Sequence, residues 1–299
     1  MFISILIISY NHEIYISDAI NSALSQTYHN FEIVISDDRS TDSSWKIITD
    51  FQRKHPNIIR GFRTDHNSGV VANTLHGINY CRGEFVCVFG PDDLLLPKKI
   101  ELQVAKLMED HKMLAVFTNG YKMSDHVCEL LHKPNVALLM QSPPAQIFEY
   151  LVTHVNPIFT QSLLVHKQIL LSAINHCKHG ISDDWCYNAH IFSVLTSTSQ
   201  FAYIDTPTFV YRFHPGGLHA NVLRQVGSKL DFIQRYTPQE HKNKAVKNIY
   251  YDLIKDLVKK AEITFALRLW FKLFRIAPSV RLLFLLFRLP FIYSKGAHK

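Results

Sequence analysis

Along the first 120 residues, short continuous apolar runs alternate with segments whose apolar positions recur every three or four residues. Residues 2–9 form an Ile-rich run of the kind expected for a strand buried on both faces, and they end in polar Tyr10-Asn11-His12-Glu13. Over 14–25, Ile16, Ala19, Ile20, Ala23 and Leu24 keep helical spacing. Residues 31–36 read as a second strand closed by Asp37-Asp38. Residues 43–54 read as a helix with Trp45, Ile48 and Phe51 on one face and Thr41, Asp42 and Ser43 available as caps. A third strand (58–64), a third helix (70–81) and a fourth strand (85–89) follow. A helix after Pro97 (98–109) and a strand at 114–121 complete the series.

Such alternation predicts an α/β fold, a Rossmann-like and mainly parallel sheet flanked by helices on both faces. Ligands of such sheets bind beyond the carboxyl ends of the strands. Ser9, Tyr10 and Asn11, the Asp37-Asp38 pair and the Asp92-Asp93 pair all stand at those ends, so they should converge on one crevice. Beyond Ser142 the pattern loosens. Pro143-Pro144 breaks the chain, helices are expected at 145–154, 167–176 and 183–195, and strands at 200–204 and 208–213. The turn His214-Pro215-Gly216-Gly217, a helix at 239–260 and a tail follow, with no internal repeat or low-complexity linker. The expected organisation is a catalytic domain at 1–220 and a helical C-terminal region at 221–299.

Composition narrows the choice. At 299 residues and 47% hydrophobic content the chain can bury a good core. The formal net charge is +7, but residues 255–299 hold ten Lys/Arg against two Asp/Glu, leaving 22 against 23 in the rest. A neutral body with a basic tail makes nucleic acid a poor partner for the fold. Cys81, Cys87, Cys128, Cys177 and Cys186 form no CxxC pair and read as reduced thiols of a cytosolic protein. The apolar start lacks a basic n-region and reads as a strand, not a signal peptide. No stretch reaches eighteen uncharged apolar residues, so no spanning helix is expected.

Three segments taken together resemble a known family. They are Ile3-Ser4-Ile5 through Ser9-Tyr10-Asn11, then Ser22-Ala23-Leu24-Ser25-Gln26-Thr27-Tyr28, then Glu32-Ile33-Val34-Ile35-Ser36-Asp37-Asp38-Arg39-Ser40-Thr41-Asp42. The order continues with Asn67-Ser68-Gly69-Val70, Gly83-Glu84-Phe85 and Asp92-Asp93 followed by Pro97. The chain resembles the family 2 glycosyltransferases of GT-A fold that build bacterial surface polysaccharides, strongly over 2–120 and more weakly over 155–217. Two positions depart from the pattern. Gly90 stands where many relatives keep an acid, and Asn73-Thr74-Leu75 stands where many keep an Ala-Arg-Asn run.

The resemblance implies an inverting transferase that moves a sugar from a nucleotide-diphosphate donor, UDP-hexose or UDP-N-acetylhexosamine, to a hydroxyl of a glycan or polyprenyl-diphosphate-linked acceptor in O-antigen, capsule or lipopolysaccharide assembly. Residues 1–120 would bind the donor and 121–220 the acceptor. Adjacent carboxylates repel unless a cation or donors stand between them. A divalent ion on the diphosphate, Mn2+ or Mg2+, would relieve the repulsion at Asp92-Asp93, whereas a plain solvated turn is the alternative. By the resemblance Asp93 is the metal ligand and Asp92 lies near the ribose. Ser9, Tyr10, Asn11 and Asn67 belong to the donor site, and Asp38 would accept a hydrogen bond from uracil N3–H. Tyr10 as core packing, and Asp37-Asp38 as a cap, remain open.

Asp183-Asp184-Trp185 resembles the family's acidic pair before an aromatic residue, which assigns the catalytic base to Asp184; simple stabilisation of a helix N-terminus is the alternative. Tyr211-Arg212-Phe213-His214 resembles the motif that closes the site, with Arg212 on the diphosphate and His214 in the metal shell. The tail sets Arg268, Lys272 and Arg275 at helical spacing among Leu267, Leu269, Trp270, Phe271, Leu273 and Phe274. A basic aromatic helix of this kind fits the interface of an anionic membrane, which would place the protein on the cytoplasmic face of the inner membrane; packing on the catalytic domain or a partner is the other reading.

Competing functions fare worse. A dehydrogenase would need GxGxxG after the first strand, where Ser9-Tyr10-Asn11-His12 has no glycine. A processive synthase would need several membrane spans. A catalytically degenerate sugar-binding or scaffold protein of the same fold is the alternative that Gly90 and Thr74 keep open.

Overall fold

A computed structural model describes residues 1–124, 127–131, 134–153, 158–177, 185–214, 216–217, 222–259 and 263–276. Strand β1 (Ile3–Ser9) is buried along its whole length and pairs in parallel with β2 (Phe31–Asp37) on one side and β4 (Phe85–Phe89) on the other. Strand β3 (Ile59–Arg63) adds in parallel beyond β2. Helices α1 (Ile16–Leu24), α2 (Ser44–Lys54) and α3 (Val70–Tyr80) make the crossovers between them. Ile3, Ile5 and Ile7 of β1 pack with Ile33 and Ile35 of β2, Cys87 and Phe89 of β4, and Ile16 and Ile20 of α1. Full burial explains why these strands carry unbroken apolar runs instead of alternation.

Beyond β4 come β5 (Leu94–Leu95), α4 (Lys99–Leu107), β6 (Ala115–Ser124), β7 (Val127–Leu130), α5 (Pro134–Leu139), α6 (Pro144–Thr153), β8 (Leu164–His166), α7 (Lys167–Cys177), α8 (Trp185–Val194) and β9 (Phe201–Arg212). The strand order is β3-β2-β1-β4-β8-β6-β9-β5, with β7 on β6. The sheet is parallel through β4 and mixed beyond it: β8 runs antiparallel to both β4 and β6, and β5 antiparallel to β9. The carboxyl ends of β1, β2, β3, β4, β6 and β9 therefore open at one edge.

The strands expected at 200–204 and 208–213 are one strand. A register shift against β6 takes up Asp205 and Thr206 and sets Pro207 opposite Asn119, a place where a missing N–H does not interrupt the ladder. Strands β5, β7 and β8 are two to four residues long, too short to show a period. Lys99 is wholly buried; among the described residues its Nζ has no hydrogen-bond partner, and it lies 5.8 Å from the Phe209 ring centroid. Burial pushes its amine down to about 8, with Cys87 opposing weakly.

The chain divides into two compact units, Met1–Phe148 with Pro157–Ala220, and Glu149–Asn156 with Asn221–Lys299. In the second, α10 (Gln239–Lys259) packs on α9 (Val222–Tyr236) and α11 (Ile263–Ile276). Asn248 donates to the Thr153 carbonyl at 2.6 Å, and Lys244 pairs with Glu149 at 3.1 Å. In α11, Trp270 is buried and stacks on Phe274, while Arg268 and Phe271 are exposed. No helix of the described residues is long and apolar enough to cross a membrane.

Candidate active site

The loops after β1 and β2 are built on each other. Buried Asp37 accepts from Ser40 N–H at 3.0 Å, from the Ser40 hydroxyl and from Arg63 Nε at 3.1 Å. That holds Arg39 at φ 63°, and Asn11 opposite sits at φ 56°. Asn side chains tolerate this region by bonding locally. Asn11 Oδ1 accepts from Thr41 N–H at 2.8 Å, and Asn11 N–H donates to Ser40 Oγ at 3.0 Å. His12 and Glu13 N–H donate to Ser44 Oγ and Asp42 Oδ2. Ser9 is buried, and its hydroxyl has no partner among the described residues. Tyr10 is 38% exposed.

Asp38 is 2% exposed. Its Oδ1 accepts from Ser68 N–H and Ser68 Oγ, both at 2.9 Å, and from Thr64 Oγ1 at 3.2 Å; its Oδ2 accepts from Gly69 N–H at 2.8 Å. These bonds tie Asp38 to the 64–69 loop and leave Oδ2 with further acceptor capacity. Gly69 adopts φ 88°, open to glycine at no steric cost, and its N–H also reaches Asn67 Oδ1 at 3.2 Å. Asn67 itself is exposed. Thr74 is wholly buried, with its hydroxyl on the Val70 carbonyl, so an arginine has no room at that place.

At the end of β4, Asp93 N–H closes a turn onto the Gly90 carbonyl. A Cβ on Gly90 would lie 2.6 Å from Asp92 Oδ1, so an acid there would crowd Asp92. Asp93, expected to hold the ion, is 1% exposed; it accepts from Arg212 N–H at 2.9 Å and from Gln161 Nε2. Asp92, expected nearer the ribose, faces His214, with Oδ2 3.1 Å from Nε2 and both side chains about one-sixth exposed, at 17% and 16%. The short β5–β9 ladder brings these ends together. His214 leans on Tyr15, ring centroids 4.8 Å apart. Arg212 reaches Asp18 at 2.9 Å and lies 5.5 Å from the Tyr15 ring centroid.

Tyr15, Asp18 and Gln161 were not anticipated. The first two sit at the start of a helix whose periodicity advertises only its core face. Gln161 lies in a three-residue 3-10 helix, Thr160–Ser162, with no local pattern to mark it. Asp184 lies outside the described residues; α8 starts at the residue after it.

Among the described residues no three His, Cys, Asp or Glu side chains converge as a metal cage. The open Asp92–His214 pair nevertheless suits a divalent ion that takes its remaining ligands from phosphate and water.

The sequence profile of glycosyl transferase family 2 matches residues 4–164, over half of the chain. The chain belongs to glycosyl transferase family 2. This glycosyltransferase is 24% identical over 257 residues to the Escherichia coli UDP-Glc:alpha-D-GlcNAc-diphosphoundecaprenol beta-1,3-glucosyltransferase WfaP, a match covering 86% of this chain and 94% of that one. It is 29% identical over 123 residues to the putative glycosyltransferase EpsE of Bacillus subtilis, covering 41% of this chain and 44% of EpsE. The chain thus spans less than half of EpsE, as it does of several other relatives.

Among solved structures, S. aureus TarS 1–349 in complex with UDP-GlcNAc superposes with a TM-score of 0.60 at 15% identity, over 99% of this chain and 89% of that one. The mannosyltransferase PcManGT from Pyrobaculum calidifontis, in complex with GDP-Man and Mn2+, gives 0.59 at 15% identity over 99% and 84%. The fold of this family 2 enzyme is GT-A.

Proposed function

We propose that this glycosyltransferase moves a hexose or N-acetylhexosamine from a uridine diphosphate donor to a hydroxyl of a glycan or polyprenyl-diphosphate-linked oligosaccharide in O-antigen, capsule or lipopolysaccharide assembly. The observation that carries the reading is the Asp92–His214 pair beside Arg212, an oxygen–nitrogen couple and a guanidinium at the sheet edge where ligands of such folds bind. The long match to WfaP, whose name specifies UDP-Glc and a diphosphoundecaprenol acceptor, supports the donor and acceptor classes.

Asp92 and His214 are the residues that would hold Mn2+ or Mg2+, with Asp93 as the buried anchor of their turn. When bound, the ion neutralises charge on the departing diphosphate. Arg212 adds a cation for the same oxygens. Tyr10 offers a face for the base, and Asp38 acts through the 64–69 loop and its exposed Asn67. Ser9 and Asn11 shape the floor between them. Asp184 is assigned the base: a carboxylate accepts the acceptor hydroxyl's proton as the new bond forms, and rate comes largely from alignment. One base and one displacement give inversion at the anomeric carbon, by analogy with inverting glycosidases. Residues 1–120 serve the donor and 121–220 the acceptor. The basic tail in 221–299 holds the enzyme against the cytoplasmic face of the inner membrane, where a polyprenyl-linked acceptor is presented.

A panel of nucleotide sugars with Mn2+ and purified enzyme tests the reading by release of free nucleoside diphosphate. The expected result is release from a UDP-sugar that is abolished by a chelator. Release from no donor, even with a lipid-linked acceptor present, overturns it.

A further inference from the structure

His214 lies beyond the last ladder pair of β9, Arg212 with Met123, so the sheet does not orient its ring. Side-chain contacts do. One edge meets Asp92, with Nε2 3.1 Å from Oδ2, and the ring leans on Tyr15 at 4.8 Å between centroids. The same tyrosine ring lies 5.5 Å from the Arg212 guanidinium, close enough for a cation–π attraction. Arg212 Nη2 is tied to Asp18 Oδ2 at 2.9 Å, and its side chain is 13% exposed. Its Nε–H is buried with no acceptor among the described residues. A guanidinium tied on one side and still partly exposed on the other is a cation held for an oxyanion. Tyr15 thus touches both groups assigned to the diphosphate.

We propose that Tyr15 is a positioning residue for the donor diphosphate: its ring keeps Arg212 and His214 side by side, so the start of α1 completes the phosphate end of the site. The inference rests on the donor reading above. It differs from a packing role because it depends on the aromatic face, which attracts the cation, and not on bulk alone.

Calorimetric titration of the full chain with UDP in the presence of Mn2+, alongside thermal unfolding, tests it. Tyr15→Leu is expected to weaken UDP binding about tenfold, and Tyr15→Phe, which keeps the face, by no more than about twofold. The unfolding midpoint of the leucine variant should stay within a few degrees of wild type. If leucine prevents folding, Tyr15→Met, of similar bulk and without a ring, replaces it under the same criteria. Wild-type affinity in the variant that lacks the ring, or an equal loss with phenylalanine, overturns the proposal. A wild-type chain that binds none of UDP, GDP, CDP and dTDP instead sinks the donor reading, and the role of Tyr15 with it.

Discussion

Asp92 Oδ2 stands 3.1 Å from His214 Nε2 across 122 residues of sequence. Both groups are partly exposed, so removing either should leave the core intact while removing a group of the proposed diphosphate site. Asp92→Ala is expected to lower nucleoside diphosphate release by about a hundredfold or more, the scale of losing one electrostatic group from a transfer site. His214→Ala should raise the Mn2+ concentration needed for half-maximal rate. Unchanged Mn2+ dependence in both variants would remove them from the metal shell.

Gln161 Nε2 and the Arg212 N–H both donate to buried Asp93. Gln161→Leu leaves that carboxylate short of one donor and should cost about 1–3 kcal/mol of stability. Gln161→Glu should cost more, because it sets a second acid against Asp93. Denaturant midpoints of the two variants check the order; glutamate equal to or better than glutamine would contradict it.

Asp38 links its loop through the N–H groups of Ser68 and Gly69. Asp38→Ala should speed amide hydrogen exchange at those two positions by at least about tenfold, since each bond contributes roughly 1.5–3 kcal/mol when the acceptor is charged. Donor affinity should fall in parallel. Exchange that stays slow would mean the loop is held by other contacts.

Lys99 gives a pH signature. Its folded value, lowered by burial to about 8, lies below its ordinary 10.5, so the unfolded chain binds more protons between those pH values. Stability should therefore rise as pH goes from about 8 to about 10.5, and the burial penalty is complete below 8. Lys99→Met should be more stable at pH 7, by up to about 3 kcal/mol, and should lose that rise. Unfolding midpoints across pH 7–10 decide it. A wild-type curve falling over that range would refute the assignment.

The proposed membrane role of the tail predicts that a chain lacking residues 268–299 no longer sediments with anionic vesicles at low salt, whereas the full chain does. Sedimentation of both would shift the attachment elsewhere.

Much of the first unit was legible because local sequence and tertiary context agree there. The β1–β4 strands are buried on both faces, so their apolar runs are unbroken, and the helices between them show one apolar face. Beyond β4 the agreement fails. Strands of two and three residues carry no period, and Pro207 splits in sequence a strand that a bulge keeps whole in space.

The same division runs through the site. Sequence alone determined to within about a residue where the parallel strands β1 to β4 end, since an apolar run stops where burial stops, and motif order sufficed to place the chain among the family 2 glycosyltransferases. Only the tertiary structure decided what those residues do to one another. It turned Asp38 onto the 64–69 loop, buried Asp93 against Gln161, and left Asp92 facing His214. Hydrogen bonding and burial set the two adjacent carboxylates apart, with Asp93 enclosed and Asp92 partly exposed, and the partners that do so are distant in sequence, as with Arg212 on Asp93.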